Sequence, residues 1–314
     1  MAIDEMSEMT EKKSAKAPEF SNWGRWGEND ERGALNLITP EVVTAALASS
    51  TTGKVYNLAV PIQRRGSAPI FAFRNPPQRL SAQSQSDAGS DAPFGAPEDL
   101  GSNEDVLILD SHGLTHMDAL AHVYIDGSIY NGFSIHDITT KRGVPHCGID
   151  KVGQIVTRGV HLDLPRHQGV DWLEPGTVIS SADLQACADA QGVRVRSGDM
   201  VMVRTGFLEW WRDQGKPSMP ASQPGLGLDA VHFFADNDVA VVGCDNSAIE
   251  VMPFDQDVFL GVHLALLRGL GVHLIEHMNL AQLSADQVTE CLMVVAPLNV
   301  RGAAGSPVSP IAIA

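Results

Sequence analysis

The feature that most limits what this chain can fold into is an alternation, through its second half, of short apolar runs with helix-like segments. GTVISSADLQACADAQGV reads as a strand and then a helix capped by Ser180 or Ser181, and DMVMVRTGFLEWWRDQG as a strand running into an amphipathic helix. GLDAVHFFADNDVAVVGCDNSAIE and FLGVHLALLRGLGVHLIEHMNL each give a helix and then a strand, and ECLMVVAPLNV supplies a last buried strand. Strands that are apolar along their whole length need cover on both faces. The chain is therefore read as α/β, a sheet covered by helices.

The first half is less regular. ITPEVV opens a helix with Thr39 as cap and Pro40 at its first position, preceded by a polar arm whose Trp23 and Trp26 need somewhere to dock. Trp26 is also a candidate for contact with substrate. KVYNLAVPI and PIFAFR carry strand-forming residues, and residues from about 76 to 103, rich in Pro, Ser, Gly and Asp, form a long loop, either mobile or a lid, with Phe94 as an apolar anchor. DVLILD then reads as a buried strand. With no composition shift dividing the chain, the expectation is one domain over 19–314, with an arm (19–50), a loop insertion (76–103) and a solvated tail (1–18).

Composition excludes several classes of function. A formal net charge of -16, from 38 acidic against 22 basic residues, repels phosphate backbones and anionic lipid surfaces, so neither nucleic acid nor a membrane is an expected partner. No GxGxxG or Walker sequence points to a nucleotide. The four cysteines are widely spaced, without a CxxC pair. With no apolar leader or membrane-length run, this favours a reducing, cytoplasmic setting.

One segment carries chemistry. SHGLTHMDALAH holds His112, His116, Asp118 and His122, the imidazole and carboxylate donors that a divalent ion such as Zn²⁺ or Mn²⁺ takes. On an ideal helix Asp118 points away from the face shared by His112 and His116. On a strand all four share a face, but His112 and Asp118 would lie ~20 Å apart. Neither element serves, so the chain must bend here, after an apolar run and at Gly113.

This segment resembles the signature HxGTHxDxPxH of the cyclase family that includes bacterial kynurenine formamidases and isatin hydrolase, with Leu114 in place of the glycine and Leu120 in place of the proline. WGENDERGALNLIT, DMVMVRTGF, VVGCDNSAIE, HLALLRGLGVHLIEHMNL and the ending GSPVSPIAIA resemble further blocks of that family. The resemblance implies a swivelling β/β/α fold. It implies metal ligation by His112, His116 and Asp118, completed by His263 and Glu276, with His122 as catalytic acid or base. It further implies hydrolysis of an amide, aryl formamide or cyclic amide of a small, possibly aromatic molecule, and a homodimer or homotetramer. Its alternatives are a polyketide-type cyclase, in which the metal serves as Lewis acid, and a metal-binding protein without activity. Arg204, Asp245, Ser247 and Glu250, at strand ends, are expected to scaffold loops, and His136, His146, His161, His167, His232, His273 and His277 to fill surface or core roles.

Overall fold

The protein's structure, a computed structural model, describes residues 19–215 and 218–314. The tail expected over 1–18 lies outside the described residues. Among the described residues the strands are β1 (Val55–Asn57), β2 (Gln78–Gln83), β3 (Glu104–Ile108), β4 (His116–Asp118), β5 (Ile155–Asp163), β6 (Val178–Ile179), β7 (Met200–Arg204), β8 (Gly225–Leu226), β9 (Val241–Cys244), β10 (His273–Glu276), β11 (Glu290–Val295), β12 (Gly305–Pro307) and β13 (Ile311–Ile313). Nine of them form one mixed sheet in the order β1-β13-β11-β5-β7-β9-β10-β4-β12. Its centre, β5 to β10, is parallel, and both flanks are antiparallel.

The strand MVMVR shows why the α/β reading holds. Every residue of β7 is buried, and alternate residues feed different cores. Val201 and Val203 pack with Leu184, Val231 and Phe234, from the helices Ser181–Gln191 and Ala230–Asp236. Met200 and Met202 pack on the opposite face with Leu35, Met278, Leu283 and Met293. The helix Ser181–Gln191 starts as its sequence predicts: Ser180 is the cap, in a capping box with Asp183. Thr39 likewise caps Pro40–Ala46.

Three expectations about the first half change. DVLILD is not a buried strand. Residues 104–108 form β3, exposed along its length, which pairs only with β2 in a ribbon outside the main sheet. An apolar run reports what a segment would gain from cover, not whether cover exists. The loop placed over 76–103 correspondingly contains a strand, β2, and PIFAFR contains none.

The arm docks through specific bonds. The Asn131 amide donates to the carbonyls of Gly27, Glu28 and Asp30, and its oxygen accepts from Gly24 N–H. Trp23 donates to the Arg268 carbonyl at 2.6 Å beneath that residue's guanidinium.

Candidate metal centre

Strand pairing assembles the site. Within the antiparallel pair of β4 and β10, His116 stands opposite Glu276 and Asp118 opposite Leu274. Residues two apart share a strand face, so His116, Asp118 and Glu276 project together. Only His116–Asp118 of the motif is extended, and turns on either side fold the remaining histidines back, which is the bend the spacing required. His112 Nδ1 comes to 2.7 Å from Asp118 Oδ1, and the His122 ring stacks on His112 with centroids 3.9 Å apart. From the opposite side, His263 in the short helix Gly261–His263 brings Nε2 to 3.3 Å from Glu276 Oε1 and 3.7 Å from Asp118 Oδ2.

Glycine makes room for this packing. Gly305 in β12 pairs with Asp118, and a Cβ on it would lie 2.3 Å from His112 Cε1 and 2.9 Å from the Met117 carbonyl. The His112 ring occupies the space a side chain at 305 would fill.

The donor set fits a divalent cation on three grounds. His116 Nε2 and Asp118 Oδ2 are buried without a hydrogen-bond partner, although such atoms are nearly always paired. His116 Nε2 lies 3.4 Å from Asp118 Oδ1 and 3.7 Å from Glu276 Oε2. Those gaps are long for hydrogen bonds, but two ligands of one tetrahedral ion, each ~2.0–2.1 Å from it, stand about 3.3 Å apart. Finally, among the described residues the only basic side chains within 4.0 Å of the Asp118 and Glu276 carboxylates are histidines, which can exchange a proton for a metal ion, and no lysine or arginine competes for the two buried anions.

Two groups of three donors can each hold an ion: His116, Asp118 and Glu276, and His112, Asp118 and His122. Asp118 belongs to both. His122 therefore stands within reach of a ligand role as well as the proton-carrying role implied by family resemblance.

Local bonds set the ring orientations. A carbonyl oxygen can only accept, so His116 Nδ1 donates to Leu114 O at 2.6 Å and the Nε2 lone pair is left facing the carboxylates. Burial opposes ionisation of Asp118, but His122, His112 and His116 hold its carboxyl well below the usual range. Burial likewise opposes ionisation of Glu276, and His116 and His263 bring it down to about 2. For His263, burial is outweighed by Glu250 and Glu276, which raise it to about 10. Burial pushes His122 down to about 4, against the pull of Asp118, so its ring is neutral at pH 7.

Trp26 is not brought to this cluster. Its ring lies under the Arg25 guanidinium and packs on the core, and among the described residues no ring contact or hydrogen bond joins it to the site histidines. Arg204 binds Asp163 and Glu209, and Asp245 accepts from Thr205 and Gly206, in the scaffolding manner expected of them. Glu250 differs, since it accepts from His263. His277, placed by sequence among the core and surface histidines, is buried, pairs through Nε2 with Ser247 Oγ, and has its ring 6.4 Å from that of His116. The ending GSPVSPIAIA marked the segment that begins at Gly305 but not the role of that glycine, which lies in the space it leaves to His112.

A model of the family described as "Putative cyclase" matches residues 56–251. A solved structure described as that of a novel cyclase is 34% identical, aligns over 96% of this chain and 100% of its own, and superposes with a TM-score of 0.85. Isatin hydrolase A from Ralstonia solanacearum is 20% identical over 87% of this chain and 97% of its own, with a TM-score of 0.59. Isatin hydrolase A from Labrenzia aggregata, bound to benzyl benzoate, is 17% identical over the same shares, with a TM-score of 0.58, and at such identities the likeness is one of fold. Among curated proteins, none matches the chain. On the family match and the 34% identity across nearly its whole length, the chain belongs to the putative cyclase family.

Proposed function

We propose that this protein is a metal-dependent hydrolase that cleaves a carbon–nitrogen bond outside peptides, in an amide, an aryl formamide or a cyclic amide. Asp118, His112, His116, His263 and Glu276 hold the metal, Zn²⁺ or Mn²⁺, and His122 is the general acid and base. The observation that carries this reading is the meeting at Asp118 of two groups of three donors, with His116 Nε2 and Asp118 Oδ2 buried and unpartnered, beside a histidine kept neutral by burial. A divalent ion bound there supplies Lewis acidity, polarising a carbonyl and bringing the pKa of water from 15.7 toward ~7. His122 accepts a proton as water attacks and delivers it to the departing nitrogen, and its stacking on His112 fixes the ring plane for both transfers. Likeness to isatin hydrolases favours cyclic amides among the candidates.

The test is elemental analysis of the purified protein followed by assays on N-aryl formamides and isatin-like cyclic amides. His122→Ala should keep its metal and lose about 10²–10⁴-fold in kcat. Wild-type turnover by that variant removes the assigned role. The family description also admits carbon–carbon ring closure, in which no water is consumed. A ring-opened acid as product decides for hydrolysis.

A further inference from the structure

The two buried histidines that face Asp118 and Glu276 are oriented by different means. His116 is fixed by a backbone carbonyl, whereas His263 Nδ1 lies 2.7 Å from Glu250 Oε1, and the same oxygen accepts the backbone N–H of His263 at 2.8 Å. Glu250 is 2% exposed, and its backbone is held from several directions. Its carbonyl accepts from the Gln223 amide at 2.9 Å, and Gly225 lies so close that a Cβ there would stand 2.3 Å from the Glu250 carbonyl carbon. Ala248 and Ile249, at φ 61° and 59°, are both left-handed, a conformation that costs energy in residues with side chains. The segment after β9 is thus bent, and held bent, in the shape that delivers one carboxylate to one imidazole.

We infer that Glu250 is the positioning residue of the metal centre: by accepting the Nδ1 hydrogen of His263 it fixes the ring so that Nε2 faces Asp118 and Glu276. The inference rests on the reading of His263 as a ligand. With Nδ1 engaged, the ring cannot flip, and Nε2 stays aimed at the Asp118 and Glu276 carboxylates, at 3.7 Å and 3.3 Å. A carboxylate acting only as a cap for the helix Gly261–His263 would need the backbone bond alone.

Three variants test this role. In Glu250→Gln the amide oxygen still accepts both hydrogens. Glu250→Asp keeps the charge but draws the carboxylate back by about one C–C bond, ~1.5 Å, out of reach of both the ring and the backbone hydrogen, which share one acceptor oxygen. Glu250→Ala loses both bonds. Affinity for Zn²⁺ and Mn²⁺ is measured by chelator competition on folded full-length protein, and the hydrogen on His263 Nδ1 is followed by ¹⁵N NMR of the imidazoles. Expected are a 10–100-fold weaker affinity in Glu250→Asp and Glu250→Ala, with loss of the Nδ1–H form, and near wild-type values in Glu250→Gln. If Glu250→Ala does not fold, the contrast of Asp with Gln carries the test. Equal affinities for the Asp, Gln and wild-type proteins overturn the inference, provided His263→Ala weakens binding. If His263→Ala binds as wild type does, the ligand assignment itself falls, and the role of Glu250 with it.

Discussion

Gly305 offers the sharpest perturbation of the site, because it touches no reactive atom of its own. Its backbone is not left-handed, so the effect of alanine is steric: the new methyl meets the His112 ring and, at 2.9 Å, the Met117 carbonyl of β4. A Cβ would stand 2.3 Å from His112 Cε1, whereas ordinary contact begins near 3.4 Å; 3.4 minus 2.3 leaves the ring about 1 Å to travel. Retreat of β12 instead is resisted by its pairing with β4 from Asp118 back to His116. Displacing His112 stretches its 2.7 Å bond to Asp118 and disturbs its stacking on His122. A misplacement of ~1 Å at a reacting centre costs on the order of 10²-fold in rate, and overpacking about 1–3 kcal/mol in stability. Gly305→Ala should therefore fold, lose a few degrees in Tm, and drop about 10²-fold in kcat/KM on the best substrate found. Gly101→Ala, whose new methyl meets Ala88 at an ordinary 3.5 Å, is the matched control. A folded Gly305→Ala protein with wild-type metal content and a kcat/KM within about twofold of wild type would refute the argument, since His112 would then tolerate displacement.

Metal affinity should rise with pH. Without metal His263 holds its proton up to about 10, so at neutral pH an incoming ion must displace that proton; the apparent Kd should tighten by roughly tenfold per pH unit between about 6 and 9, and a flat profile in chelator competition contradicts this. Asp199→Ala strands Arg158, now bound at 2.5 Å in a pair whose side chains are 6% and 3% exposed; a loss of about 3 kcal/mol in denaturant unfolding is expected, and less than about 1 kcal/mol would mean that Glu290 suffices as its partner. Asn131→Ala removes the side chain that ties Gly24, Gly27, Glu28 and Asp30 to the body; limited proteolysis should cut the arm first in this variant, and an unchanged digestion pattern would show that the arm's other bonds, among them Trp23 to Arg268 and Arg25 to Asp238, suffice to secure it.

The parts of this architecture that could be read from sequence are those in which one segment settles its own structure. MVMVR is buried on both faces and Ser180 caps its helix because those outcomes follow from local pattern. The bend at His112 to His122 was legible for the same reason, since neither helix nor strand could gather the four side chains. The register that sets Glu276 opposite His116 was not, because cross-strand pairing is decided by the whole sheet. DVLILD misled because apolar content does not say which neighbour will cover it. Glu250 was noticed as a strand-end acid, but its hold on His263 arises from a turn through two left-handed residues that no propensity favours.

The placement of Asp118 between β10 and β12 also bears on the order of events during biogenesis. Its immediate surroundings come from chain segments synthesised at quite different times, with Glu276 and the gap at Gly305 emerging long after the motif itself. A ribosome-bound intermediate therefore presents the motif's histidines before Glu276 and the β12 wall are in place, and the pocket around Asp118 is completed only when the sheet closes. An ion that favours the completed pocket over the unfolded chain acts as a latch: each tenfold excess of free ion over its Kd adds about 1.4 kcal/mol against unfolding.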